Sequence, residues 1–356
     1  MVQNKSFVFK QVPKGLPVVG QDLVVETSEF DLEQTPPEGG VTTKNIYASF
    51  DPYQRGRMRS AELKSYSPPY DLGKPIPSGV VAKIIKSDNE KFKAGDLVVG
   101  MVPNQEYSAV PKYFVENMMT KIDNPYNLDL KLFIGAMGMP GLTAYSSYHA
   151  IGKPKKGETI FISAASGAVG QIVGQLAKHD GLKVIGSVGS QEKLDFITKE
   201  LDFDGGFNYK TEKPTDALAR LAPQGIDIYY ENVGGVQLEA ALNAANEKAR
   251  VIVCGMISDY NKPAEERYGV RNLFQIVAKR ITMRGFIVGD EDMGPLYYEE
   301  RNQNMAKWLS EGTIKTRMSV TEGMEGAPAG FVGMLEGKNF GKAVLKIADL
   351  AVGNSK

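Results

Sequence analysis

Two hydrophobic rhythms divide the chain. Up to about residue 135, short runs rich in Val, Ile, Phe and Tyr are bounded by Gly, Pro, Asp and Asn: SFVFKQVP, DLVVETSEF, KNIYASFDPY, GVVAKIIKS and DLVVGMV. Runs of this length between turn formers predict an antiparallel sheet or barrel. Gly95-Asp96 reads as a turn feeding a strand. From residue 158 onward the runs TIFISA, KVIGSV, GFNY, IDIYYEN, ARVIVCG and ITMRGFIV alternate with helical patterns at 168–179, 190–200, 214–222, 235–246 and 270–279. Such alternation predicts a parallel, doubly wound sheet. Between the two regimes, GAMGMPGLTAYSSYHAIG is helical in its second half. MAKWLSEG and PAGFVGMLEG give further helices, and KAVLKIA a last strand that returns to the first domain. SDYNKPAEERYG, at 258–269, reads as a loop.

Composition narrows the picture. A chain of 356 residues exceeds the usual size of a single core, so two domains are expected. Lys plus Arg and Asp plus Glu are each 42, a net charge of zero. No basic stripe marks a nucleic-acid binder. No apolar run reaches the roughly 18 residues that span a bilayer, so no membrane partner is expected. MVQNKSFVFK lacks a signal peptide's apolar segment, AVGNSK is no recognised address, and the expected location is cytoplasmic. The single cysteine, Cys254, excludes an internal disulfide. With it stand only two histidines, His149 and His179, both read as helix-end residues. Catalytic zinc usually takes three protein ligands, so no metal is expected.

The chemistry begins at FISAASGAVGQIVGQLAK, residues 161–178. An apolar run ends in small residues and a helical pattern follows at once. The spacing Ala165-x-Gly167-x-x-Gly170 is the dinucleotide fingerprint with Ala in place of the first Gly. Gly167 would let backbone amides approach a pyrophosphate, and Gly170 would let the helix pack on the sheet. The helix N-terminus adds unpaired N–H groups and a positive dipole end. An NAD site usually carries Asp or Glu at the end of the second strand. Here VIGSVGSQEK places Gly186-Ser187 there, with Lys193 following and Tyr209 and Lys210 after the next strand. A small, uncharged strand end near a cation suits a 2′-phosphate, which favours NADP over NAD. Lys193 also reads as a solvated first-turn lysine.

Several stretches together resemble the zinc-free medium-chain dehydrogenase/reductase superfamily, and within it the leukotriene B4 12-hydroxydehydrogenase, prostaglandin reductase and alkenal double-bond reductase group. They are SFDPYQRGRM (49–58), GMPGLTAY (138–145), AASGAVGQ (164–171), GSQEK (189–193), FNYKT (207–211), YENVGG (230–235), CGMISDYN (254–261), RGFIVGD (284–290) and GKNFGKAV (337–344). The resemblance implies a Rossmann domain at 136–311 and a GroES-like, mostly β domain made of 1–135 and 312–356. It also implies NADP(H) bound in the cleft between the domains, and homodimers. The phosphate turn would be Ala165, Ser166, Gly167, Ala168 and Val169. Gly189 joins the cofactor set, and Lys193 and Tyr209 would contact the 2′-phosphate. Asn232, Phe286 and Val288 would lie on the nicotinamide side, and Asn339 would reach the cofactor from the C-terminal segment. Tyr260 would sit at the ribose and the substrate carbonyl, and Tyr53 would border the substrate pocket. Phe50, Gln54-Arg55, Met256, Asp259 and the acidic stretch 290–292 depart from the group's pattern.

The activity implied is NADPH-dependent reduction of the C=C bond of an α,β-unsaturated aldehyde or ketone. Without a metal, a neutral tyrosine hydroxyl or the cofactor's ribose hydroxyl must stabilise the developing oxyanion, and Tyr260 is the first candidate. Tyr66, Tyr70 and Tyr107 are candidates for shaping the pocket. Two other readings stay open: a quinone reductase of the same superfamily, and a protein that binds NADPH without catalysing a reaction.

Overall fold

The computed structural model describes residues 1–350; the terminal AVGNSK lies outside the described residues. The chain divides into two compact units, one made of Met1–Gly138 and the segment from Met318 on, the other of Met139–Arg317.

In the first unit the apolar runs become β1 (Val2–Phe9), β2 (Leu23–Phe30), β3 (Val41–Ser49), β4 (Lys74–Pro75), β5 (Pro77–Ser87), β6 (Leu97–Pro103), β7 (Tyr107–Val110) and β8 (Met119–Lys121). Two short helices, α1 (Tyr53–Arg57) and α2 (Lys112–Met118), interrupt them. β1 pairs antiparallel with β2 and β4 in a small sheet.

In the second unit α3 (Met139–Ser147) leads into β9 (Thr159–Ile162), α4 (Gly170–His179), β10 (Lys183–Val188), α5 (Gln191–Asp195), β11 (Gly205–Asn208), α6 (Pro214–Leu221), β12 (Ile226–Glu231), α7 (Gly235–Ala244) and β13 (Ala245–Val253). Then come α8 (Phe274–Ala278), β14 (Thr282–Gly285) and α9 (Gly294–Glu311). The six strands are parallel, in the order β11-β10-β9-β12-β13-β14. Strand order therefore reverses between β9 and β12, and in such sheets ligands bind at the carboxyl ends of the strands at that point. Phe161 stacks on Tyr229 at 4.9 Å in the core beneath it.

The chain returns to the first unit through β15 (Met318–Glu322), α10 (Ala327–Leu335) and β16 (Lys342–Lys346). β16 pairs parallel with β15 and antiparallel with β3, completing a seven-stranded sheet. The core joins the two chain ends: the fully buried rings of Phe7, Phe50 and Phe331 have centroids 5.7 to 6.1 Å apart.

Element ends differ from the sequence expectation for local reasons. α4 begins at Gly170 rather than 168, because Ala168 and Val169 belong to the preceding turn. The helix expected over 270–279 shrinks to α8: Arg271 N donates to Glu239 Oε2 and Asn272 Nδ2 to Glu239 O, tying the approach to α7. The strand expected through 288 stops at Gly285, where the Asp290 carboxylate accepts from Ile287 N at 2.9 Å and closes a turn. α9 starts eleven residues ahead of MAKWLSEG, with Pro at its first turn. His149 lies in a π-helical turn, Tyr148–Gly152, and stacks on Tyr297; His179 is the last residue of α4.

Candidate active site

The small residues after β9 form a tight turn. Ala165 is fully buried and donates its N–H to Ser187 O of β10 at 3.0 Å. A Cβ on Gly186 would come within 2.6 Å of the Ala165 Cβ. The methyl that replaces the first glycine of the fingerprint is therefore accommodated by a glycine on the neighbouring strand. At Gly170 a Cβ would meet Ala164 O at 2.6 Å and Ala165 Cα at 2.9 Å, both backbone, so the helix approaches the turn as closely as glycine permits. Ala164 adopts φ +48°, a left-handed conformation that a non-glycine residue holds only when its surroundings enforce it. Ser166 is buried, while Gly167, Ala168 and Val169 are partly exposed at the start of α4.

At the end of β10 the side chain is Ser187, buried and donating to Gln237 Oε1 at 2.5 Å. The Ser190 hydroxyl accepts from Lys193 N and starts α5. Gly189 lies under Tyr209, where a Cβ would be 3.0 Å from the phenol oxygen. Tyr209 N donates to Val188 O at 3.0 Å. Burial lowers the Lys193 pKa, the nearby Lys210 charge lowers it further, and Glu192 opposes both. Gly189, Lys193, Tyr209 and Lys210 thus gather beyond β10, and the strand ends without a carboxylate. Two neighbouring cations with an uncharged strand end, together with the glycine-walled turn, fit the phosphates of NADP(H).

A second group gathers at the ends of β12 and β13. Asn232 donates its backbone N–H to Ser163 Oγ at 2.9 Å and its side-chain amide to Ser163 O at 2.7 Å. Tyr260 folds back over the strand ends. Its phenol accepts from Met256 N at 3.3 Å, and a Cβ on Gly255 would lie 2.9 Å from that oxygen and 3.6 Å from Asn232 O. Phe286 and Val288 are half-buried beyond β14, and Val288 O accepts from Gly294 N at 2.9 Å where α9 begins. Asp259 pairs with Lys262 at 3.5 Å and Asp292 with Arg284 at 2.6 Å, so these acids are engaged locally.

Glu231 went unremarked in the sequence, where it closes an ordinary apolar strand. It is fully buried, and Oε1 accepts from Val233 N at 2.6 Å, Gly234 N at 2.8 Å, Tyr229 Oη at 2.9 Å and Ser163 Oγ at 3.2 Å. Burial raises its pKa, and the bonds from Gly234, Val233, Tyr229 and Ser163 oppose the rise. It anchors the turn that carries Asn232. An acid ending an otherwise apolar strand just before Asn-Val-Gly-Gly was the available signal.

In the first unit, Tyr53 opens α1 directly after Asp51 and Pro52. Burial pushes its phenol pKa up, with Tyr70, Asp51 and Tyr66 adding to the rise and Arg57 opposing it. Tyr70 lies under the Arg57 guanidinium, 4.2 Å from its ring centroid, and its phenol is pushed up to about 12, chiefly by burial. Gln54 and Arg55 face inward: Gln54 Oε1 accepts from Asp51 N and Arg55 Nη2 donates to Gly15 O. Tyr107 stacks on Phe30 at 5.9 Å, away from this group in the sheet. Asn339 is half-buried, its amide donating to Gly341 O at 2.7 Å. Among the described residues, no group of three or more His, Cys, Asp or Glu side chains could hold a metal ion. No helix among them is long and apolar enough to cross a membrane.

A doubly wound parallel sheet with a phosphate turn beside its switch point defines a dinucleotide-binding unit of the Rossmann type. The comparisons extend this to the whole chain. Residues 168–311 match the family model described as zinc-binding dehydrogenase, and residues 5–118 that described as N-terminal domain of oxidoreductase. The chain is 54% identical over 350 residues to the NADP-dependent oxidoreductase RED1 of Cochliobolus heterostrophus, covering 98% of this chain and 99% of the relative. It is 42% identical to the NADP(+)-dependent 2-alkenal reductase of Nicotiana tabacum, covering 98% of each. The crystal structure of CurA from Vibrio vulnificus in complex with NADPH superposes with a TM-score of 0.86 at 34% identity, covering 97% of this chain and 99% of that one. The chain belongs to the zinc-independent medium-chain dehydrogenase/reductase superfamily, with a Rossmann unit and a GroES-like unit.

Proposed function

We propose that this NADP-dependent oxidoreductase reduces the C=C bond of α,β-unsaturated aldehydes and ketones, with Tyr260 as the catalytic hydroxyl and Tyr53 bordering the substrate. The observation that carries the reading is the Tyr260 phenol, held against the Gly255–Met256 backbone beside Asn232 at the carboxyl ends of β12 and β13. Full-length similarity to the 2-alkenal reductase supports it.

When bound, NADPH supplies the hydride that reaches the substrate's β-carbon. The chain binds, orients and stabilises charge. Residues 165–169 and the first turn of α4 hold the pyrophosphate. Gly189, Lys193 and Tyr209 hold the 2′-phosphate; Asn232, Phe286, Val288 and Asn339 confine the nicotinamide end. Tyr260 donates its O–H to the substrate carbonyl oxygen, drawing electrons from the double bond and leaving the β-carbon electron-poor. The same bond strengthens as negative charge moves onto that oxygen in the enolate, so it stabilises the transition state more than the ground state. A proton then reaches the α-carbon. A tyrosine hydroxyl is a neutral hydrogen-bond donor of the kind this step needs.

The quinone-reductase reading rests on solved structures at 18–19% identity, which carry the fold alone. We propose that the enzyme works in the cytoplasm. Replacement of Tyr260 by Phe should lower kcat for a conjugated enal about a hundredfold. NADPH affinity, read by nicotinamide fluorescence, should stay at the wild-type value. Weakened NADPH binding with wild-type turnover at saturation would contradict the role.

A further inference from the structure

We propose that Lys342 and Asp51 form a positioning pair that sets the register between the substrate-side Tyr53 and the cofactor-side Asn339. The inference rests on the site assignment above and adds what holds those two residues in place.

Both partners are sealed from water: their side chains are 2% and 6% exposed. Lys342 Nζ donates to Asp51 Oδ1 at 3.0 Å, to Ala343 O at 2.9 Å and to Phe50 O. An ammonium has three hydrogens, and these acceptors account for all of them. On the other side, Asp51 Oδ2 accepts from Ser49 Oγ at 2.5 Å, and Asp51 N donates to Gln54 Oε1 at 2.6 Å. The ammonium hydrogens are all used, and each carboxylate oxygen has a donor.

Its place in the chain gives it a function. Asp51 stands two residues before Tyr53, and Pro52 between them has a fixed φ. Lys342 opens β16 three residues after Asn339. The intervening residues are clamped as well: Phe340 N donates to Ser319 Oγ at 2.7 Å, and the Asn339 amide closes onto Gly341 O. Segments 291 residues apart in sequence meet here, where the β3–β16 ladder ends with Phe50 N donating to Ala343 O at 3.3 Å and the Lys342–Asp51 bond carries the junction one residue further, toward Tyr53. Apolar residues of similar volume usually stabilise a core as well as a buried ion pair does. The Phe7, Phe50 and Phe331 cluster shows that this unit builds an apolar core where one is needed. The pair is directional where an apolar contact is not. Burial lowers the Lys342 pKa and Asp51 raises it again, consistent with one shared charge cluster.

The test uses the full chain carrying Asp51→Asn together with Lys342→Met, which removes both charges and strands neither. NADPH dissociation is read by fluorescence, enal KM and kcat by turnover, and the fold by circular dichroism. A folded double variant should show enal KM and NADPH Kd each raised about tenfold, since small misplacements at a reacting centre are costly. Wild-type KM and Kd in that folded variant would overturn the proposal, because a purely structural pair would alter melting temperature alone. Ser49→Ala keeps the pair and frees Asp51 Oδ2, so it decides the matter if the double variant does not fold. It should raise enal KM about threefold and leave NADPH Kd unchanged, since it loosens only the Tyr53 side; an unchanged KM overturns the proposal. If the wild type reduces no enal at all, the proposed function fails, and the NADPH Kd of the double variant still decides the positioning claim.

Discussion

Lys193 and Lys210 are where coenzyme choice is made on this account. Lys193 loses solvation and feels the like charge of Lys210, both lowering its pKa against the opposing Glu192, so an added phosphate charge beside it is favourable. Replacing Lys193 by Ala should weaken NADPH about tenfold or more, the worth of a hydrogen bond to a charged group, while NADH affinity barely changes. Titration of both coenzymes against the variant checks this; equal losses for the two would remove the 2′-phosphate from the explanation. The missing acid at the end of β10 was legible because a carboxylate there would repel that phosphate. How Ala165 could stand for glycine was not legible, because the answer is Gly186 on another strand. Nor was the work of Glu231, whose acceptor bonds come from residues up to 68 positions away. Spacing shows which groups neighbour one another locally and is silent on such partners.

Among the elements, periodicity located most helices and strands from residue 158 onward but misplaced several of their ends, since ends are decided by single polar contacts. Asp290 closing the turn after β14 is one case, and Asn272 tying α8 to α7 is another. The last turn after α3 widens into a π-helix that carries His149 into an aromatic group with Tyr145 and Tyr297. Burial there lowers the His149 pKa from its ordinary 6.5, against opposing effects of Asp180 and Glu300. Below pH 6.5 the unfolded chain takes up a proton that the folded imidazole resists, so stability falls as pH falls through that value. The wild type should lose melting temperature between pH 7 and pH 5 more steeply than a His149→Gln variant; parallel curves would contradict it.

For the whole molecule, strand–helix alternation was enough to read the parallel sheet, because each crossover in such a sheet is local in sequence. The first unit was harder. Its strands were visible one by one and the return of the last strand was expected, but the seating of β16 between β15 and β3 depends on partners far away in sequence. Among the described residues the parallel sheet ends in β14, and Leu273, Phe274 and Val277, in and beside α8, are exposed, as is Leu296 in α9. A sheet edge is a pairing surface, and most homo-oligomers are two-fold dimers. We propose that a second copy covers it. Phe274→Asp with Val277→Lys should convert a dimer to a monomer in sedimentation velocity; a wild-type monomer, or an unaltered dimer in the variant, would contradict that surface.

Hydride should reach the β-carbon of a conjugated carbonyl. NADPH carrying deuterium at both C4 positions, supplied with a conjugated enal and the purified protein, tests it most directly by the position of the label in the product. The expected product is a saturated aldehyde with one deuterium on the β-carbon. An allylic alcohol labelled at the former carbonyl carbon, or no labelled product despite NADPH binding, would contradict it.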